Sequence, residues 1–240
     1  MSDARCWFEI ITSSKVLPLS MNFKDISSNI ETSLEALFDE LRSGIASRED
    51  SRAFGAMIER RITDNWKDIC NKFGYEYYPI PGRRSIFDFA CKVDGTLIGF
   101  DVKTKDLDTT RYSDGGVCAV GNLLKFLAND DGVFMIVEFG HDKSSDKGGR
   151  DLEYIRVAPF HVLPTDIYRI ENLGTGQVRM NYTLNQVWEK ISWDRSYPEF
   201  FDVFCDLSIK HYNRVKADAD NRITSMNKFK KNDYKFFKFD

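Results

Sequence analysis

Asp88, Asp101 and Lys103 raise the first question of chemistry. They stand on either side of an Asp94-Gly95 pair in the stretch FDFACKVDGTLIGFDVKT, residues 87–104. Asp-Gly between two apolar runs signals a β-hairpin with a two-residue type I′ turn. A two-residue loop fixes the register: Val93 faces Thr96, Cys91 faces Ile98, and Asp88 faces Asp101. Directly opposed side chains in an antiparallel pair hold their Cβ atoms about 4.5–5.5 Å apart. Two carboxylates that close repel unless a positive charge compensates them. A divalent cation is the natural compensation, and hard oxygen ligands suit Mg2+ or Mn2+. Strand alternation puts Lys103 on the face of Asp101 and turns Phe100 and Val102 to the other face. Two acids and an ammonium on one face suit hydrolysis of a phosphodiester. A metal acidifies a water, and a lysine orients it and stabilises charge on phosphorus. The competing reading is a solvated sheet face. Asp-x-Lys recurs at Asp233-Tyr-Lys235, in a lysine-rich tail without a preceding acid strand. The first copy differs by its apolar strand, its partner acid and the helix before it.

The elements that position these residues follow from periodicity. Ile30, Leu34, Leu37, Phe38, Leu41 and Ile45 recur at helical spacing and predict a helix ending near Gly44. A second helix is expected over residues 53–73, with the stripe Phe54, Ile58, Ile62, Trp66, Ile69 and Phe73 and a stop at Gly74. Strands are expected at 75–80, 85–92, 97–103, 133–139 and 153–158. The continuous apolar run VFMIVEF marks the fourth as central and buried. Helices are expected at 183–191 and 198–215, and polar loops at 105–121 and 172–177. This order implies an α/β (α+β) domain with a mixed central β-sheet flanked by helices. No internal repeat or low-complexity segment interrupts it.

Composition narrows the classes. The 240 residues are 42% hydrophobic, enough for one sizeable core, and a single domain over 1–240 is expected. A net charge of −3 argues against a generally basic nucleic-acid binder, while leaving room for a local basic groove. Five scattered cysteines without a Cys-x-x-Cys point to reduced thiols in the cytoplasm and away from zinc. The three histidines lie far apart in sequence, which disfavours histidine-metal sites. No apolar run reaches membrane-spanning length, so no membrane partner is expected.

With its helix, then Asp88, then Asp101-Val-Lys103 on the next strand, the chain resembles the PD-(D/E)xK nuclease superfamily. The segment Asp101-Val-Lys-Thr104 is most similar to that of blunt-cutting, orthodox type II restriction endonucleases. Glu59, in Gly55-Ala-Met-Ile-Glu59, fits the acid that these carry on the preceding helix. Leu173-Gly-Thr-Gly-Gln177 resembles their late glycine-rich recognition loop. Phe87 stands where the motif commonly has a proline. The resemblance spans residues 55–177 in patches.

It implies a restriction-endonuclease-like core and Mg2+-dependent cleavage of double-stranded DNA at a short palindromic site; Mn2+ substitutes for the metal. Asp88, Asp101 and the main-chain carbonyl of Val102 would hold metal, Lys103 would activate water, and Glu59 would assist. A homodimer, and functional pairing with a DNA methyltransferase, follow from the same resemblance. Helices within residues 25–73 are the expected dimerisation part.

DNA contacts are expected from Thr104, Lys105, Thr109, Arg111, Tyr112, Ser113 and Asn122 in and beside the first loop. Asn172, Thr175, Gln177 and Arg179 are expected contacts around the second. Asn and Gln suit adenine, and Arg and Lys suit guanine, in the major groove. For any one of these the competing reading is an ordinary surface loop, and for Glu59 a solvated helix glutamate. The segment 210–240 interleaves Lys and Arg with Phe and Tyr. It reads either as a phosphate-backbone surface or as a tail packing its aromatics on the body. Other functional classes stay open: a different nuclease of the superfamily, a DNA-binding module with a degenerate metal site, or a small-molecule phosphohydrolase.

Overall fold

The computed structural model describes residues 21–42, 51–79, 85–108, 116–128, 132–143, 150–171 and 176–231. Helix α1 (Phe23–Leu37) begins where the Asn22 side chain accepts the backbone N–H groups of Lys24 and Asp25. Such a cap satisfies donors that the first turn leaves free. The single helix expected over 30–45 is broken: Phe38 leaves helical geometry (φ −112°) and a short α2 (Asp39–Arg42) follows. Helix α3 (Ser51–Lys72) matches its expected span, and Gly74 (φ 70°) ends it as the left-handed residue a helix stop requires.

A five-stranded mixed sheet forms the centre. Its strands are β1 (Glu76–Tyr78), β2 (Phe89–Val93), β3 (Thr96–Asp106), β5 (Val133–Lys143) and β6 (Arg150–Pro159), in the order β1-β2-β3-β5-β6. Only the β3–β5 pair is parallel. The crossover between them carries β4 (Gly116–Ala119) and helix α4 (Val120–Ala128). Where the sequence suggested a loop over 105–121, β3 runs on through Asp106 and β4 begins at Gly116. A second sheet, in the order β4-β8-β7, adds β7 (Tyr168–Glu171) and β8 (Gln177–Met180). The helix expected at 183–191 is α5 (Leu184–Val187) followed by a 3-10 turn. The last helix, α6, runs from Tyr197 to Lys231, well past the expected 215.

Alternation along the strands sorts side chains into two cores. On one face Phe89, Phe100, Val102, Val137 and Phe139 pack with the stripe Phe54, Ile58, Ile62 and Trp66 of α3 and with Ile30 and Leu34 of α1. The indole N–H of Trp66 donates to the Ala90 carbonyl at 2.6 Å, which fastens α3 to β2. On the other face Ala90, Phe134, Ile136 and Ala158 pack with α4, the small sheet and Phe200 and Phe204 of α6. Each large side chain buried this way contributes roughly 1.5–3 kcal/mol. The apolar stripes of α1 and α3, within the part expected to dimerise, are consumed by the chain's own core. Among the described residues no helix is long and apolar enough to cross a membrane.

Candidate active site

The hairpin takes the expected register. Asp94 (φ 50°) and Gly95 (φ 79°) both adopt the positive φ that a type I′ turn demands. Val93 pairs with Thr96, Cys91 with Ile98 and Phe89 with Phe100. There the ladder stops, one residue short of the expected Asp88–Asp101 pair. The Asp88 N–H donates to the Phe100 carbonyl (2.8 Å), a partner displaced by one residue from the ladder register. The Asp88 carboxylate then accepts the Val102 N–H through Oδ2 at 2.7 Å. Asp88 thus reaches the Asp101 neighbourhood by a side-chain bond to the next residue's main chain.

Asp101 is buried (6% exposed) in the middle of β3, where its partner on β5 is Ile136. Lys103 Nζ stands 2.6 Å from Asp101 Oδ2. Burial pushes the Asp101 carboxyl up to about 7; Lys103 opposes that rise, and Asp88 and Glu59 add to it. Glu59, at the exposed rim on α3, is raised by partial desolvation and by Asp88, and lowered by Lys103. Its main-chain carbonyl accepts the hydroxyl of Thr63. Four expected residues from α3, β3 and the hairpin end before β2 therefore share one electrostatic neighbourhood. With all four ionised, three carboxylates face a single ammonium, and such a cluster calls for further positive charge.

The donors suit a hard divalent cation: two carboxylates and the Val102 carbonyl would offer oxygen ligands only, as Mg2+ prefers. Among the described residues no three His, Cys, Asp or Glu side chains form a metal-holding group by themselves.

The expected DNA contacts divide. Gln177 and Arg179 share the outer face of β8, where the Arg179 guanidinium donates to Gln177 Oε1 (3.2 Å) and pairs with Glu171 (3.6 Å). Gln177 also lies across Gly116: a Cβ there would stand 2.4 Å from its Nε2. Asn122 is exposed on α4. Thr104 faces α3, where a Cβ on Gly55 would lie 3.3 Å from its Oγ1. Lys105 is buried (6% exposed) in β3 beside Glu138, away from the open loop in which the sequence had put it. Thr109, Arg111, Tyr112, Ser113, Asn172 and Thr175 lie outside the described residues.

Three residues near the cluster escaped the sequence reading. Glu138, fully buried on β5 and register partner of Lys103, accepts the Tyr154 hydroxyl (3.0 Å) and the Leu184 N–H (2.7 Å) through Oε1. Burial raises it to about 7 against the pull of Lys105. The one acid in VFMIVEF was its visible signal. Tyr154 folds its ring over Gly140, where any Cβ would stand 2.2 Å from a ring carbon. Cys118 on β4 is raised to about 12, by burial first and then by Asp101, with Lys103 opposing.

Against protein-family models and against curated proteins the chain finds no match.

Proposed function

We propose that the chain is a Mg2+-dependent, sequence-specific endonuclease for double-stranded DNA, acting as a homodimer at a short palindromic site. The observation that carries this reading is the convergence of Glu59 of α3 with Asp88, Asp101 and Lys103 at one end of a hairpin, where among these four residues one ammonium faces three acids. Asp88, Asp101 and the Val102 carbonyl would hold the metal. When bound it supplies Lewis acidity toward a phosphoryl oxygen and acidifies a water.

The chain's own groups do the rest. The Asp88 carboxylate is held against β3 by the Val102 N–H, so its orientation is set before substrate arrives. Lys103 Nζ, 2.6 Å from Asp101 Oδ2, would orient the attacking water and stabilise negative charge on the phosphoryl oxygens. Glu59, raised by partial desolvation and by Asp88, would accept the water's proton. The new bond joins water oxygen to phosphorus, one ester P–O bond breaks, and a phosphomonoester and a hydroxyl result. Two-fold DNA sites match two-fold proteins, which is the reason for the dimer. Gln177 and Arg179 on the adjoining sheet supply polar groups suited to base edges.

The test is supercoiled plasmid incubated with purified protein and Mg2+, with the ends sequenced. Discrete fragments with one common end sequence are expected, and none from Asp88→Ala or Lys103→Ala. Undiminished cleavage by both variants overturns the assignment. Ends without a common sequence would make the protein a non-specific nuclease.

A further inference from the structure

The active-site reading leaves unused the far end of α6. The first half of this helix is anchored, with Phe200, Phe204, Ser208 and His211 buried. From 212 to 230 every side chain is exposed except the half-buried Val215. At 1.5 Å per residue this exposed portion is about 30 Å long. The sequence offered an alternative in which the tail packs its aromatics on the body; those from Tyr234 onward lie outside the described residues.

Charge is segregated into this helix. Residues 210–231 hold Lys210, Arg214, Lys216, Arg222, Lys228, Lys230 and Lys231 against Asp218 and Asp220, a net +5. The whole chain is −3, so everything else sums to −3 − 5 = −8. A basic rod on an acidic body is complementary to a polyanion. Its root is also in the right place. A Cβ on Gly176 would stand 2.9 Å from the Tyr212 hydroxyl, so Tyr212 rests on the end of the glycine-rich loop. The Gly176 carbonyl accepts the Val120 N–H (2.9 Å). Val120 follows directly on β4, whose Ala119 pairs with Gln177, one of the expected base contacts.

We propose that residues 210–231 form an arm that lies along the phosphate backbone of the duplex beyond the cleavage site, which extends the nuclease reading above and rests on it. At 3.4 Å per base pair the exposed portion spans about 9 base pairs. The competing occupant is a second copy of the chain. Ile223 and Met226 are exposed on the side of the helix opposite Lys210, Arg214 and Lys228. Two such helices side by side bring +5 against +5, which disfavours that pairing.

The experiment uses the full chain and fluorescein-labelled duplexes of roughly 12 and 40 base pairs, followed by anisotropy in EDTA between about 50 and 200 mM salt. The variant is Arg214→Ala/Arg222→Ala/Lys228→Ala, in which alanine keeps the helix, as far-UV circular dichroism checks. Three lost phosphate contacts lower the salt slope on the long duplex by about 2.7, so that wild type loses about 40-fold more affinity than the variant over that range. On the short duplex the two proteins should match. Asp218→Asn/Asp220→Asn should steepen the slope on the long duplex. Equal slopes for all proteins on the long duplex overturn the arm. So does a triple variant with unchanged DNA binding whose sedimentation has shifted from dimer to monomer. Arm-dependent binding in a protein that cuts no plasmid leaves the arm standing and removes the nuclease assignment alone. Cleavage at one site with equal slopes does the reverse.

Discussion

Asp101→Asn separates a metal-binding acid from a structural ion-pair partner. In the folded chain the Asp101 carboxyl is raised from 3.8 to about 7, chiefly by burial, although Lys103 lies 2.6 Å away. A carboxyl raised in the fold binds its proton more tightly folded than unfolded, so stability falls as pH climbs from about 4 through 7. At about 1.4 kcal/mol per pH unit, the charge held at pH 8 costs on the order of 4 kcal/mol. Asparagine stands in for the protonated carboxyl, and that cost already includes the opposing attraction to Lys103. Urea denaturation with EDTA should therefore find the variant more stable than wild type by on the order of 4 kcal/mol at pH 8, and near parity at pH 4. Mg2+ should then stabilise wild type, by RT ln(1 + [Mg]/Kd), and leave the variant unmoved. Cleavage should be lost throughout. If the variant is the less stable protein at pH 8 in EDTA, Asp101 is a structural ion-pair partner and the argument from its strained burial is wrong.

Other expectations concern the surroundings. Glu31 on α1 accepts the Val157 N–H at 2.7 Å and is raised to about 7, by burial first and then by Glu35, with Arg156 and that hydrogen bond opposing. Glu31→Gln keeps an acceptor for Val157, so thermal denaturation between pH 5 and 8 should lose the decline that this group gives wild type, on the order of 1 kcal/mol after allowing for its partial exposure. Glu138→Ala removes an acceptor from Tyr154 and Leu184 and a counter-charge from buried Lys105, and should destabilise by about 3–5 kcal/mol in urea titrations. Gly116→Ala should displace the Gln177 amide, which would otherwise lie 2.4 Å from the new Cβ. Because the end of a flexible side chain can yield, stability should change by less than about 1 kcal/mol while site preference in plasmid digests shifts.

What the sequence made legible was what local rules control. Asp94-Gly95 dictated a turn whose geometry leaves one register, and the pairs from Val93–Thr96 to Phe89–Phe100 follow it. The stripe of α3 and the apolar run of β5 had periods that admit one reading. The end of the ladder was not legible, because whether Asp88 pairs as a strand residue or hydrogen-bonds through its side chain depends on the competition for one N–H, that of Val102. The short strands β4, β7 and β8 are four residues each and offer too few positions for alternation to declare itself. Helix α4 did carry the spacing Val120, Leu123, Leu124, Leu127, but it follows a polar stretch that dominated the reading. The length of α6 was missed because its outer half buries no stripe. No proline or glycine interrupts it, so propensity alone carries it onward.

The bond from Val102 to Asp88 makes strand pairing and the acid site mutually exclusive at one position. If β2 extended its ladder by two residues, Phe87 would pair with Val102, its carbonyl would take the Val102 N–H and the Asp88 carboxylate would lose its anchor. The site is thus built from an unfinished hairpin. Substitutions that tidy the pairing near Phe87 and Asp88 should strengthen the sheet while loosening the acid, and a longer Glu side chain at 88 would have to give up either the anchor or its place beside Asp101.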